Sequence, residues 1–339
     1  MLLHTSYKSG SFVDPRVRKE AKTLSKLHRV FIATLPLPFS RSILMPLRAL
    51  AYVGITVRAV VKHKILVIHI HDLPLALTGI AASRLLGKKC VLDLHEPWPL
   101  HLKSRGLFRN PSFYYSFWLF VEWLCVSLVD QVITVCEEAR NRIGKGIIIS
   151  NYTDWQPCVF TPHSTYVVGY AGGLQSHRGV DLLIKAFAVF VANHPSSRLH
   201  IFGSGTELES LKKLAEDVPH VEFFGEVPSK DLDKYLTGCS VCVVPHIRDD
   251  FTDHTVPHKL FEYMALGKPV IVSNCVPLKR IVEEAECGVI CRTFRDYADA
   301  MEMLMHPNIL GLNGAKAIRE KYNWDSEGQK LVKLYEELE

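Results

Sequence analysis

Short apolar runs that alternate with amphipathic stretches, stop, and then begin again are the feature that most narrows what this chain can fold into. In the first half such runs lie at residues 30–34, 65–69, 90–94 and 131–135. Each is too short for a helix and is bounded by polar or turn residues, so each reads as a buried strand. Helical stretches between them imply parallel strands in a doubly wound sheet. Residues 151–164 are polar and contain Pro157 and Pro162, and the alternation resumes at 166–170, 198–202, 221–224, 241–244 and 270–272. A length of 339 residues, 48% of them apolar, suits two units better than one. The reading is an α/β chain with domains over 1–155 and 165–320 and a terminal helix over 321–339.

Ligands in such sheets bind beyond the carboxyl ends of strands, so the chemistry is sought there. Residues 255–271 read T-V-P-H-K-L-F-E-Y-M-A-L-G-K-P-V-I. Lys259 and Glu262 are three apart and share a helix face, where a cation can meet phosphate oxygens and a carboxylate can accept from two ribose hydroxyls. Gly267 ends that helix and Pro269 opens a strand. The bland alternative is a solvated Lys–Glu pair. Earlier, the strand at 166–170 runs into Gly172, Gly173, Arg178 and Gly179 before a periodic helix over 180–191. Glycines admit a diphosphate to the backbone, the helix start supplies free N–H groups, and Arg178 adds a cation. Alternatively this is only a tight strand-to-helix turn.

The order of these segments over 166–291 resembles the retaining glycosyltransferases of GT-B fold, glycosyltransferase family 4. In that family two Rossmann-like domains face each other over a central cleft. Gly203 and Gly205 in I-F-G-S-G resemble the turn beside the nucleotide, 221–227 the element that meets the base, and Tyr322-Asn-Trp324 the entry to the terminal helix, which in that family crosses back to the first domain. The resemblance implies donor-binding roles for Gly172, Gly173, Gly179, Gly203, Gly205, Thr255, Lys259 and Glu262, and a catalytic role for Arg178 at the leaving diphosphate. It also implies that His95, in D-L-H-E-P at a strand end, touches the donor sugar. The chain departs from the family twice. Gly173 stands where a first basic residue is usual, and His254 stands where the first of two glutamates is usual, with Asp253, His254 and Thr255 as substitutes or, alternatively, as loop and capping residues. Ser11, His71 and Asp72 are assigned to the acceptor side.

The implied activity is transfer of a hexose from a nucleotide-diphosphate sugar to a hydroxyl of a growing glycan, glycolipid or polysaccharide, with no metal and no other cofactor. The alternatives are a nucleotide-sugar epimerase or phosphorylase on the same fold, and a non-catalytic sugar-nucleotide-binding subunit.

Charge bears on partners. Residues 1–160 hold 21 Lys and Arg against 10 Asp and Glu, while the remainder holds 19 against 25. The basic excess sits in apolar helical stretches and matches no nucleic-acid motif. Residues 41–64 mix Leu, Ile, Val and Ala with Arg41, Arg48, Arg58, Lys62 and Lys64, and 108–129 are dense in aromatics. Both fit helices lying on an anionic membrane or, alternatively, helices that simply cover the first sheet. Glu122 and Asp130 argue against a span. The start, M-L-L-H-T-S, has neither a basic segment nor a long apolar run, so the expected location is cytoplasmic, peripheral on the inner face of the membrane if that contact is made. Nine cysteines sit mostly in apolar runs, and Cys239-x-x-Cys242 enters a strand rather than opening a helix, so all read as buried free thiols.

Overall fold

A computed structural model describes residues 2–7, 14–35, 45–104, 111–154, 165–306 and 309–338. The chain divides into two compact units, one of 1–151 with 325–339 and one of 152–324. Ser11, Arg41 and the central part of the predicted connection, 155–164, lie outside the described residues.

The first unit runs β1 (Leu2–Tyr7), α1 (Pro15–Leu24), β2 (Val30–Leu35), α2 (Met45–His63), β3 (Val67–His71), α3 (Leu73–Leu86), β4 (Lys89–Leu94), α4 (Trp98–Ser104), α5 (Pro111–Leu128), β5 (Gln131–Thr134), α6 (Glu137–Ile143) and β6 (Ile147–Ile148). Its parallel sheet has the order β2-β1-β3-β4-β5-β6. β3 is buried along its whole length and β4 from Cys90 onward, as a sheet covered by helices on each side requires, and the polar residues His69, His71 and Asp93 are buried with them. Asp14 caps α1 by accepting from the Arg16 N–H at 2.9 Å, with Pro15 at the first helical position. That cap fixes where the side chains of Arg16 and Glu20 enter the sheet. β3 starts two residues later than the apolar run suggests. α2 closes through Lys64, at φ 51°, and the Ile65 N–H donates to the Val60 carbonyl at 3.0 Å, so Ile65 and Leu66 belong to the turn. The shift puts His71 last in the strand and Asp72 just beyond it.

The second unit runs β7 (Val167–Ala171), α7 (Val180–Asn193), β8 (Arg198–Phe202), α8 (Leu208–Leu214), β9 (Val221–Gly225), α9 (Ser229–Thr237), β10 (Val241–Val244), α10 (His258–Ala265), β11 (Val270–Ser273), α11 (Val276–Ala285), β12 (Gly288–Cys291), α12 (Phe294–Met303) and α13 (Leu310–Glu320), with short 3-10 turns at Ser176–Arg178 and Thr252–His254. Its parallel sheet has the order β12-β11-β10-β7-β8-β9. The central strands carry the core: Val168, Tyr170, Val241, Val243 and Ile271 pack under α7 and α12. On the other face Val244, Leu260, Met264 and Val272 pack together. Cys239 and Cys242 are buried free thiols in that second cluster, as expected of a C-x-x-C that enters a strand.

The last helix, α14 (Trp324–Glu336), lies in the first unit from Asp325 onward. Its Glu327 Oε2 accepts from the Ser150 N–H at 2.7 Å, and its Tyr335 hydroxyl meets His69 Nδ1 at 2.6 Å. The sequence reading misses β1, the two-residue β6 and β12. β1 is mixed polar and apolar, L-L-H-T-S-Y, yet it lies inside the sheet and pairs with both β2 and β3.

Candidate functional site

In the second unit the carboxyl ends of β7, β8 and β10 converge with the start of α10. β7 ends in Ala171, and the backbone turns through Gly172 at φ 141°. Two buried tyrosines hold that turn. The Tyr170 hydroxyl donates to the Gly173 carbonyl at 2.7 Å, and the Ala171 N–H donates to the Tyr263 hydroxyl at 2.8 Å. A side chain at Gly172 would collide with the Lys259 ammonium, and one at Gly203, at φ 135°, would collide with the Gly172 carbonyl. The two glycines therefore let β7 and β8 end against each other and against Lys259.

Lys259 occupies the buried side of α10. Its Nζ stands 4.0 Å from the centre of the Tyr170 ring and has no hydrogen-bond or ion-pair partner among the described residues. Burial first, and then the charge of Arg178, push its pKa well below the ordinary lysine value. Glu262 is on the rim of the same helix, 32% exposed, with its Oε1 3.2 Å from His258 Nε2. The solvated Lys–Glu pair is thus not what forms: the cation goes inward and the carboxylate stays at the surface. Arg178 closes the 3-10 turn before α7 and donates from Nη1 to His246 Nε2 at 3.0 Å. His246 is buried, and burial together with the charges of Arg178 and Lys259 holds its pKa well below 6.5, so a neutral ring accepts from the guanidinium. α7 begins at Val180 after Gly179 with no side-chain cap, which leaves its first N–H groups open to an anion. Beside the 172–173 turn lies a cavity of about 260 Å³, lined in part by Gly173, Gly203, Ser204, Glu226 and Leu232.

Gly179 is at φ 66°, and a side chain there would collide with the Pro245 carbonyl. Gly179→Ala is expected to destabilise the second unit by about 1–3 kcal/mol and to displace Arg178, measured by denaturant unfolding with and without nucleotide.

His254 and Thr255 belong to the loop before α10. His254 Nδ1 meets the Asp250 carbonyl at 2.7 Å, and the Thr255 hydroxyl donates to the Phe251 carbonyl at 3.3 Å. Asp253 serves the loop, since its Oδ1 accepts from the Val276 N–H at the start of α11 and its carboxylate pairs with Arg248. Gly205 sits against Leu174, beside the 172–173 turn.

The first unit holds a second cluster at the carboxyl ends of β3 and β4. Asp93, fully buried, accepts from Arg16 Nε at 2.8 Å and Nη2 at 3.0 Å, and meets His95 Nε2 at 2.9 Å. His71 Nδ1 lies 3.0 Å from His95 Nε2, and the Asp72 carboxylate accepts from the His95 N–H at 3.1 Å. Asp72 is held at φ 66°, in a region that residues other than glycine seldom occupy. Burial opposes charge on His95, but the carboxylates of Asp72 and Asp93 outweigh it and raise its pKa to about 9. Burial lowers His71 to about 3 and pushes Glu20 well above the ordinary carboxylate range. Ligand atoms of Glu20, His69, His71 and Asp93 lie within 4.8 Å of one another, a donor set of metal-binding type. The Arg16 guanidinium already supplies the cation there, 2.9 Å from Glu20 Oε1 and 2.8 Å from Asp93 Oδ2.

Residue-level reading missed His246, Tyr170, Tyr263, Arg16 and Asp93. His246 follows V-V-P at a strand end, the same placement that singled out His95, and Asp93 stands two residues before it.

Two family models match the chain. "Glycosyltransferase Family 4" matches residues 12–151 and "Glycosyl transferases group 1" matches residues 154–321. An uncharacterized glycosyltransferase of Haemophilus influenzae is 29% identical over 227 residues, covering 64% of this chain and 62% of that protein. A D-inositol 3-phosphate glycosyltransferase of Corynebacterium jeikeium is 28% identical over 192 residues, covering 52% of this chain and 45% of that protein. The chain therefore spans about half to three fifths of the length of these curated relatives. Among solved structures, a sucrose-phosphate synthase from Thermosynechococcus elongatus superposes with a TM-score of 0.83 at 18% identity, over 99% of this chain and 98% of that one. Anabaena HepE in complex with UDP and glucose superposes with a TM-score of 0.74 at 15% identity, over 99% of each chain. These likenesses show a fold of two parallel-sheet α/β units of the GT-B type.

Proposed function

Because the chain belongs to the group 1, family 4 glycosyltransferases, we propose that it is a retaining enzyme that moves a hexose from a nucleotide-diphosphate sugar to a hydroxyl of a growing glycan, glycolipid or polysaccharide. One observation carries this reading: the buried Lys259 ammonium has no hydrogen-bond or ion-pair partner among the described residues, and it stands in the field of Arg178 at a glycine turn. A diphosphate is the group that satisfies both cations, and the open N–H groups of α7 add to the same field. Glu262, partly exposed at the rim, accepts from the ribose hydroxyls, and the neighbouring cavity takes the base. The bound UDP in the HepE structure makes uridine the first base to test.

In the reaction the bond from the anomeric carbon to the diphosphate oxygen breaks while the acceptor oxygen bonds to that carbon on the same face. The acceptor's proton passes to the departing phosphate oxygen. Arg178 and Lys259 stabilise the charge that grows there, so the reading requires no metal. His95, protonated at neutral pH, donates a hydrogen bond to the sugar rather than acting as a base. His71, Asp72 and Ser11 belong to the acceptor side. A peripheral position at the inner face of an anionic membrane completes the reading. No helix among the described residues is long and apolar enough to cross a bilayer.

The test is release of nucleoside diphosphate from a panel of UDP-, GDP- and dTDP-sugars. Release from one donor, reduced about tenfold or more in Glu262→Ala by loss of charge-assisted hydrogen bonds, is expected. No release, with no donor-induced thermal stabilisation, would overturn the proposal. Stabilisation without release on any acceptor would leave a binding subunit, and conversion of the donor to a new nucleotide sugar with no acceptor present would make the protein an epimerase.

A further inference from the structure

We propose that the outer face of the layer formed by α2, α3 and α5 is the surface that docks on an anionic lipid bilayer, with the aromatic stripe of α5 entering the headgroup region. This rests on the peripheral placement above, to which it gives a surface and named residues, and it is independent of the diphosphate site in the other unit.

Phe113, Phe117, Phe120 and Trp123 on α5 are 70%, 49%, 55% and 62% exposed. They recur every third or fourth residue and so form one stripe along the helix. A helix facing only water carries charge on such a face. Here the one charged residue of α5 is Glu122, which is buried and held by Arg142 through two hydrogen bonds of 2.7 and 2.6 Å. α3 packs against both α2 and α5, which makes the layer continuous, and it adds exposed Leu85 while α2 adds exposed Ile55. Across the three helices Glu122 is the only acidic residue, whereas Arg58, Lys62 and Arg84 are exposed cations.

Large apolar rings with a basic flank and no exposed acid on the three helices match the chemistry of a negatively charged lipid interface. Phe and Trp bury in the headgroup region, and the cations meet lipid phosphates. A second copy of the chain fits less well. A two-fold interface would set this face against itself and bring Arg58, Lys62 and Arg84 together with no acid to answer them.

The experiment is co-sedimentation of the full chain with vesicles of phosphatidylcholine alone and of phosphatidylcholine mixed with phosphatidylglycerol. Binding to the mixed vesicles and little to the neutral ones is expected. Two variants follow, Phe117→Ser/Phe120→Ser/Trp123→Ser and Arg58→Gln/Lys62→Gln, and each is expected to weaken partitioning about tenfold or more. Parent-like circular dichroism and a cooperative thermal melt show that a variant is folded. Absence of binding to mixed vesicles overturns the proposal, as does unchanged binding in the aromatic variant. Concentration-dependent self-association of the parent chain that the aromatic variant abolishes, seen by sedimentation velocity without lipid, assigns the face to a dimer and overturns it as well.

Discussion

Lys259→Met is expected to raise the melting temperature of the ligand-free protein while lowering glycosyl transfer by about 10²–10³-fold, the scale of losing one transition-state donor. Both effects come from one atom. The Lys259 ammonium is buried over the Tyr170 ring, with no hydrogen-bond or ion-pair partner among the described residues, in the field of Arg178. An uncompensated buried charge opposes folding, and an unbranched thioether of similar reach removes it without opening a cavity. Relief of about 1 kcal/mol corresponds to a few degrees.

The pH dependence has a definite sign. Burial, and then Arg178, depress the folded pKa below the ordinary 10.5, so between those two values the unfolded chain binds the proton that the folded chain has released. Stability of the free wild type therefore rises with pH across that window, and the methionine variant lacks this rise. A bound diphosphate reverses the balance by raising the Lys259 pKa, so binding takes up a proton. Thermal melts with and without UDP measure all of this. UDP is expected to raise the wild-type melting temperature and to leave the variant unmoved. A variant that keeps the UDP shift would remove Lys259 from the site, and one that melts lower without ligand would make the lysine a structural group.

The contrast between Lys259 and Glu262 shows how much of the site is legible in the chain. Three residues apart on one helix, both were singled out, and sequence spacing set them on a shared face. What spacing does not contain is the depth of that face. One side of α10 packs on Tyr170 and Gly172 and the other meets solvent, and only the tertiary structure separates them. Parallel strands were readable because burial on both faces leaves runs of Val and Ile, as in V-C-V-V and V-I-V-S. β1 escaped because L-L-H-T-S-Y carries no such run, although its ladders with β2 and β3 put it inside the sheet. The same limit hid Asp93 and Arg16. They are 77 residues apart, and nothing local reveals that the first turn of α1 lands on the end of β4. His246 was missed for a different reason: its strand-end position was visible, but the residue that makes it useful, Arg178, lies 68 positions earlier.

Asp93→Asn is expected to be the most damaging single change in the first unit, with a loss of about 3–5 kcal/mol, the range for removing one partner from a buried ion pair. The carboxylate accepts from Arg16 Nε at 2.8 Å and Nη2 at 3.0 Å and meets His95 Nε2 at 2.9 Å, with no solvent access. An amide of the same shape keeps the volume and removes the charge. Arg16 is then left with Glu20, whose own burial, the largest of the causes that raise its pKa above the ordinary 4.5, persists in the variant and opposes its taking over as the anion. The pH profile identifies the mechanism. Burial opposes the His95 cation, but Asp72 and Asp93 lift its pKa from 6.5 to about 9. A raised folded pKa contributes stability that is complete below 6.5 and is lost as pH rises through about 9. Wild-type stability should decline over that interval in the first unit, opposite in sign to the Lys259 effect in the second. Asp93→Asn should flatten the decline by lowering the His95 pKa, visible directly in the titration of its imidazole proton resonance. Asp72→Asn separates the two roles. The Asp72 carboxylate is partly exposed, so its loss should lower the His95 pKa at little cost in stability. A loss below about 1 kcal/mol in Asp93→Asn would be the behaviour of an exposed pair and would contradict the buried network. An unchanged His95 titration in both variants would mean that neither carboxylate holds the imidazolium, and the protonated histidine assigned to the sugar side of the reaction would go with it.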